Sequence, residues 1–331
     1  MVDTIYIEEK VKNFDRTKKI LSRFKNSRHI FINKYSEIFN IKNQNFRIQK
    51  INPSLILAFK HKNFVLKAPD GFGIGTSKNF YFSHMYNCIY DCRYCFLQGM
   101  YSSANYVLFV NYEDFLFNIN EIIKKNEEED LTFFSGYDCD SLALEKMTGF
   151  AKYFLPKIGK NKKALFEFRT KSIQLEPFLK NVPSENIILA YSLLPNHLSK
   201  KLDFKTPSIT KRIQAIKKIS KLGWKIGLRF DPLIYHKDWK KNYNNLFQEI
   251  FNDLDIKNIH SISFGSIRFP NQMFKKIKKL YPEEKLFSYN FDLKNNYVSF
   301  RKDQEEEMIE YCLLMIKKIN NKIPVFSCKP F

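Results

Sequence analysis

The stretch Asn87–Gly99, NCIYDCRYCFLQG, places three of the chain's six cysteines within eight residues, at Cys88, Cys92 and Cys95. The spacing is C-x3-C-x2-C, directly after a predicted strand. A structural zinc site closes with four ligands and favours paired C-x2-C units, so zinc would have to borrow Cys139 or His84. An electron-transfer iron–sulfur centre also wants four thiolates. Three thiolates on four irons leave one iron open to a small molecule, which suits chemistry better than scaffolding.

Outward from this loop the chain reads as alternating strands and helices. Short apolar runs at 80–85, 131–136, 164–170, 187–193, 225–231 and 261–267 are separated by amphipathic segments. Among the latter are YEDFLFNINEIIKK, DSLALEKMTGFAKYF, SITKRIQAIKKISKLG, NYNNLFQEIFNDL and NQMFKKIKKLY. Six strand–helix units in this order predict an α/β fold whose parallel strands curl into most of a barrel. In such folds function gathers at the carboxyl ends of strands, and here those ends carry His84, Asp138 and Asp140, Arg169 to Ser172, Ser192, Arg229 with Asp231, and Arg268. Arg229 and Asp231 are expected to pair with each other at the barrel's end. Before the barrel, residues 12–28 read as a basic amphipathic helix, and residues 54–75 as a strand pair closed by a glycine turn. The expected division is an N-terminal extension over 1–78, a partial barrel over 79–275, and a C-terminal extension over 276–331 covering the substrate side.

Composition bounds the function. The 331 residues include 33 Phe and 18 Tyr and are 44% hydrophobic, so a packed core is expected. No apolar run is long enough to cross a bilayer, and the amino terminus is acidic and amphipathic, unlike a signal peptide; a soluble, cytoplasmic chain with no membrane partner is expected. In a reducing compartment clustered cysteines bind metal or do redox work rather than form disulfides. The net charge of +21 favours a polyanionic partner, although an A+T-rich coding bias toward Lys, Asn, Ile and Phe also produces such a balance. There is no internal repeat, and GFGIGT follows no strand-to-helix step, so it reads as a turn rather than a phosphate loop.

The triple-cysteine loop, with Tyr94 just before its last cysteine, resembles the signature of the radical S-adenosylmethionine superfamily. Within it the chain is similar to the spore photoproduct lyase family from about residue 45 to 310, on CRYCFLQG, DSLALEKMT, FRTKS, SLLPNHL with DFKTPSITKRIQA, GLRFDPLIY and FGSIRF, in the family's order. The resemblance implies a partial (β/α)6 barrel of the radical SAM type. It also implies a 4Fe-4S cluster on Cys88, Cys92 and Cys95, and S-adenosylmethionine contacted by Tyr94, Lys171 and Ser192. The implied substrate is DNA carrying a thymine dimer, reverted by a 5′-deoxyadenosyl radical, with flavodoxin or ferredoxin as reductant. A relative with a different nucleic-acid or small-molecule substrate, and a non-catalytic metal-stabilised nucleic-acid binder, are the competing readings.

The chain departs from the family at the hydrogen donors. The family returns a hydrogen atom from a cysteine in the loop after the second strand, helped by a tyrosine after the last cluster cysteine. Here Tyr137 stands at the cysteine position, Cys139 follows two residues later, and Phe96 replaces the tyrosine. Tyr137 and Cys139 are therefore the candidate donors. The family's Arg-Tyr pair that grips the lesion corresponds to NNYVSFR, which offers Tyr297 and, a few residues on, Arg301.

Overall fold

The structure, a computed structural model, describes residues 2–328; Met1 and 329–331, the outer ends of the two expected extensions, lie outside the described residues. The six apolar runs form six strands: β1 (Lys78–Phe82), β2 (Leu131–Ser135), β3 (Ala164–Thr170), β4 (Ile187–Ser192), β5 (Lys225–Leu233) and β6 (Ile259–Ser266). They pair in parallel and in chain order, and the sheet ends on an antiparallel strand at Leu66–Lys67 and a parallel one at Val325–Ser327. Those two edges are not bonded to each other, so the sheet is an open, curled half-barrel.

The main outer helices are α1 (Tyr112–Lys125), α2 (Phe150–Ile158), α3 (Ile209–Lys221), α4 (Trp239–Phe251), α5 (Asn271–Leu280) and α6 (Lys302–Ile319). Local chemistry explains their ends. Acidic Glu113 and Asp114 open α1 and Lys124 and Lys125 close it, each complementing the helix dipole. Ser208 caps α3 through its side chain. The segment DSLALEKMTGFAKYF, expected as one helix, is two. Gly149 takes a left-handed φ of 59° and ends the short helix Glu145–Thr148, while the Glu145 carboxylate accepts from the backbone N–H groups of Ala151 and Lys152 and so caps α2.

Strand alternation sorts the side chains. One face turns Phe82, Phe133, Phe166 and Phe168 toward the helices, where Phe82 meets Phe150 and Phe154 at 6.0 and 5.6 Å between ring centroids. The other face carries Leu165, Glu167 and Arg169 on β3, Ile188, Ala190 and Ser192 on β4, and Gly227, Arg229 and Asp231 on β5. A small apolar cluster of Ile74, Ile188 and Ala190 lies in this interior. Level with it in the strand register is an ionic pair, in which Arg229 reaches Glu167 at 2.7 Å with both side chains fully buried. A Cβ on Gly227 would stand 2.6 Å from Arg229 Nη2, so only glycine leaves room for that guanidinium.

The N-terminal segment differs from expectation. Its helix is short, Asp15–Leu21, because Arg28–Ile32 is drawn into a parallel strand beside Thr4–Glu8. The two strands expected to pair do not pair with each other. Leu55–Ala58 joins Thr4–Glu8 and Tyr106–Phe109 in a separate five-stranded sheet, and Leu66–Lys67 pairs with β1. A third, antiparallel sheet holds Arg268–Pro270, Tyr297–Ser299 and Asp292–Lys294 over the barrel's end. Among the described residues no helix is long and apolar enough to cross a membrane.

Candidate active site

The loop after β1 is fastened before it presents anything. Asp91 is its hub: its carboxylate takes Arg93 at 2.9 Å, Gln98 at 2.8 Å and, more loosely, Lys50 at 3.8 Å. Gln98 also gives to the Cys92 carbonyl and accepts from the Tyr281 hydroxyl at 3.0 Å. A two-residue antiparallel ladder sets Cys92 opposite Asp203 and Asp91 opposite Phe204, tying the cysteine loop to the segment after β4.

Cys88, Cys92 and Cys95 all line one cavity of about 250 Å³ at the carboxyl ends of the strands. Burial pushes the thiols upward, Cys88 to about 12, with the nearby ammonium of Lys50 partly offsetting this at Cys88 and that of Lys171 at Cys92. Among the described residues no group of three or more His, Cys, Asp or Glu side chains could hold a single metal ion. The zinc arrangement therefore does not assemble: His84 stacks flat on Phe150, at 3.8 Å and 5°, and only its Nδ1, 3.9 Å away, approaches Cys139. Three cysteines opening on one cavity are a donor set suited to a thiolate-bound iron–sulfur cluster.

Tyr94, Lys171 and Ser192 line the same cavity. The Tyr94 hydroxyl donates to Asp203, and Lys171 Nζ sits 5.5 Å from the centre of the Tyr94 ring. Asp203 pairs with Arg212 at 2.9 Å, both fully buried, and Arg212 also gives to the Ser192 carbonyl at 3.1 Å and the Pro207 carbonyl at 2.9 Å. Burial would lower Lys171, but Cys92 and Asp203 together outweigh it and raise it, so the amine is held charged. Its backbone N–H donates to Asp140 at 2.7 Å, and Thr170 Oγ1 gives to the same carboxylate at 2.6 Å, which fixes the turn that leaves β3.

Tyr137 and Cys139 also reach this cavity. Tyr137 lies against Tyr81 at 4.4 Å and Phe96 at 5.4 Å between centroids. Burial first, then Tyr81, Asp138 and Tyr297, push its hydroxyl up to about 12, so Tyr137 stands within electrostatic reach of Tyr297. Cys139 is 6% exposed and packs toward His84. Tyr297 lines an adjoining cavity of about 310 Å³. The two cavities share Ser266, Arg268 and Cys328. Arg301 lines neither; it is half-exposed and pairs with Asp303 at 2.7 Å.

The expected Arg229–Asp231 pair is not formed. Side chains on one strand two residues apart point the same way but along different rungs, so Arg229 finds Glu167 on β3 and Asp231 finds Arg268 at 3.2 Å. Sequence reasoning also missed Asp203 and Arg212 as supports of the site. Their only signal was the phrase DFKTPSITKR, whose charged pair is nine residues apart and meets only after the chain turns.

A parallel half-barrel with a three-cysteine loop after its first strand, opening on a cavity at the strand ends, is the architecture of the radical S-adenosylmethionine enzymes. The profile of the family described as "Spore photoproduct lyase" matches residues 1–304. The spore photoproduct lyase of Clostridium acetobutylicum is 27% identical over 259 residues, covering 75% of this chain and 76% of that protein. That of Bacillus subtilis is 26% identical over 202 residues, covering 60% and 59%. Among solved structures, a spore photoproduct lyase mutant with bound AdoMet and dinucleoside spore photoproduct superposes with a TM-score of 0.85 at 17% identity, over 98% of each chain. A lyase complexed with dinucleoside spore photoproduct gives 0.84 at 17% identity, over 99% of each. The chain belongs to the spore photoproduct lyase family, and so to the radical S-adenosylmethionine lyases.

Proposed function

We propose that this protein reverts a spore-photoproduct thymine dimer in DNA to two thymines, working in the cytoplasm with a flavodoxin or ferredoxin as reductant. The observation that carries the proposal is the single cavity shared by the three cysteines, Tyr94, Lys171, Ser192 and Tyr137, in a chain of this family. Cys88, Cys92 and Cys95 would hold the 4Fe-4S cluster. Bound together, cluster and S-adenosylmethionine supply a 5′-deoxyadenosyl radical able to take hydrogen from carbon.

The chain's own residues position and finish that chemistry. Lys171, kept charged, offers a donor to the methionyl carboxylate. Tyr94, pinned at its hydroxyl by Asp203, presents a ring face fixed in orientation. Tyr137 returns hydrogen: its O–H breaks as a C–H forms on the product radical, leaving a tyrosyl oxygen radical that one electron from the reductant and one proton restore. It is favoured over Cys139 because it lies between Phe96 of the cysteine loop and the Tyr297 side of the cavity, whereas the Cys139 thiol packs toward His84. Of the three parts expected along the chain, 79–275 carries most of the radical site and Tyr297 of the third lies on the substrate side, while Leu66–Lys67 of the first and Val325–Ser327 of the third form the edges of the barrel sheet. On α5, beside the cysteine loop, Lys275, Lys276, Lys278 and Lys279 face solvent and suit a DNA backbone.

The test is turnover. Anaerobically reconstituted, reduced protein should cleave S-adenosylmethionine and convert a spore-photoproduct dinucleotide to thymine. A full cluster that cleaves S-adenosylmethionine yet yields no thymine from dinucleotide or DNA would sink the substrate assignment.

A further inference from the structure

The wall of the cavity across from the cysteines carries charge that the radical chemistry does not use. Glu167, fully buried, serves two guanidiniums: Arg229 at 2.7 Å and Arg169 Nε at 2.9 Å. Arg229 spends its other donors on the Ser261 carbonyl and hydroxyl, at 3.1 and 2.9 Å. Arg169 does not. Its terminal nitrogens make no hydrogen bond to a described residue, and its side chain is 29% exposed, into the cavity.

Beside it stands Asp231, whose Oδ2 accepts from Arg268 at 3.2 Å while Oδ1 accepts from no described residue. Arg268 is itself anchored on the Cys328 carbonyl at 3.1 Å and lies 4.8 Å from the centre of the Phe72 ring. The hydroxyls of Ser263 and Ser266 line the same wall, at 1% and 6% exposure, and neither has a hydrogen-bond partner among the described residues. A buried hydroxyl without a partner is costly, and two of them on the wall that carries an open guanidinium leave bonding capacity that a ligand could complete.

We propose that Arg169, Asp231, Ser263 and Ser266 seat the imide edge of one pyrimidine ring of the substrate, a proposal that rests on the lesion reading above. That edge presents two carbonyl acceptors flanking one N–H donor. The wall presents a carboxylate acceptor flanked by the Arg169 guanidinium and by serine hydroxyls. Cytosine, with one amino donor and two acceptors, and guanine, with one acceptor and two donors, both mismatch this order. The imide edge lies across the ring from the carbons where a spore-photoproduct linkage is made and broken. It is also unchanged between lesion and thymine, so holding it leaves the reacting carbons free.

The experiment compares a spore-photoproduct dinucleotide with its N3-methylated derivative, binding each to the wild-type, cluster-loaded protein by calorimetry. Methylation replaces the single donor, and the methylated ligand should bind about tenfold or more weakly. Asp231→Ala should bind both equally, at the weaker level, and Arg169→Gln should raise KM more than it lowers kcat. Equal wild-type affinity for the two ligands, with normal turnover of the unmethylated one, overturns the seat and leaves the lesion reading standing. Neither binding nor turnover of the unmethylated ligand overturns both. Because the decisive comparison changes the ligand, it does not depend on any variant folding.

Discussion

Two loops face each other across one cavity, and they differ in kind. The cysteine loop, Asn87–Gly99, keeps the family's cysteine spacing and is braced at Asp91, Gln98 and the Cys92–Asp203 ladder. The loop after β2, Ser135–Asp140, carries Tyr137 where the family has its donor cysteine, and faces Phe96 where the family has a tyrosine. The cysteine spacing that the resemblance assigns to the cluster is kept, while the two donor positions it implies are both changed, at Tyr137 in the second loop and at Phe96 in the first. A cluster needs strong ligands at fixed spacing, and thiolates are its usual ones, whereas any weakly held hydrogen within reach of the product radical can serve as its donor.

The largest effect should come from the cysteine loop. Cys92→Ala removes one of three thiolates, so iron and sulfide content after reconstitution should fall and thymine formation should drop below detection. Full iron content with preserved activity would break the assignment of that loop. Next comes the loop after β2: Tyr137→Phe should cut thymine yield by about a hundredfold while S-adenosylmethionine cleavage continues, and Cys139→Ala should change it by no more than a few-fold. The reverse order would transfer the donor's role to Cys139. Lys171→Met keeps the stem and loses the charge; S-adenosylmethionine binding should weaken by roughly tenfold, read by equilibrium dialysis, with iron content unchanged.

The smallest effect concerns stability behind the loop after β2. Burial lowers His84 to about 3 from 6.5. Between these values the unfolded chain takes up a proton that the folded chain refuses, so stability falls as pH drops through 6.5 toward 3 and the penalty is absent above 6.5. His84→Phe, which can keep the stack on Phe150, should flatten that acid limb by about 2 kcal/mol at pH 5, measured by urea unfolding across pH. An unchanged limb would show that this histidine is not the group responsible.

The helix α1 matches its predicted segment end to end, and β3 does too, because a charged first turn, a basic last turn and a clean apolar run are local signals. The two strands expected within 54–75 form but do not pair with each other, because a strand's partner is a tertiary choice: Leu55–Ala58 has neighbours at 4–8 and 106–109 that no window around it contains. Gly149 split a helix that periodicity alone had joined, since its left-handed backbone and the Glu145 cap act across the apolar stripe rather than along it.

For the site, residue type and spacing were enough to single out the three cysteines, because thiols are scarce and these three lie within eight residues; the lysine in FRTKS and the two candidate donors came only from the family resemblance, since nothing local sets them apart. Which partners orient them was decided only by folding. Asp203 holds Tyr94 from 109 residues away, and Arg229 finds Glu167 across 62. Charged side chains are common, and sequence ranks none of them above the rest. Burial in one low-dielectric interior is what turns a few into obligatory pairs, leaving Arg301 outside the cavity and bringing Arg169, Ser263 and Ser266 onto its wall.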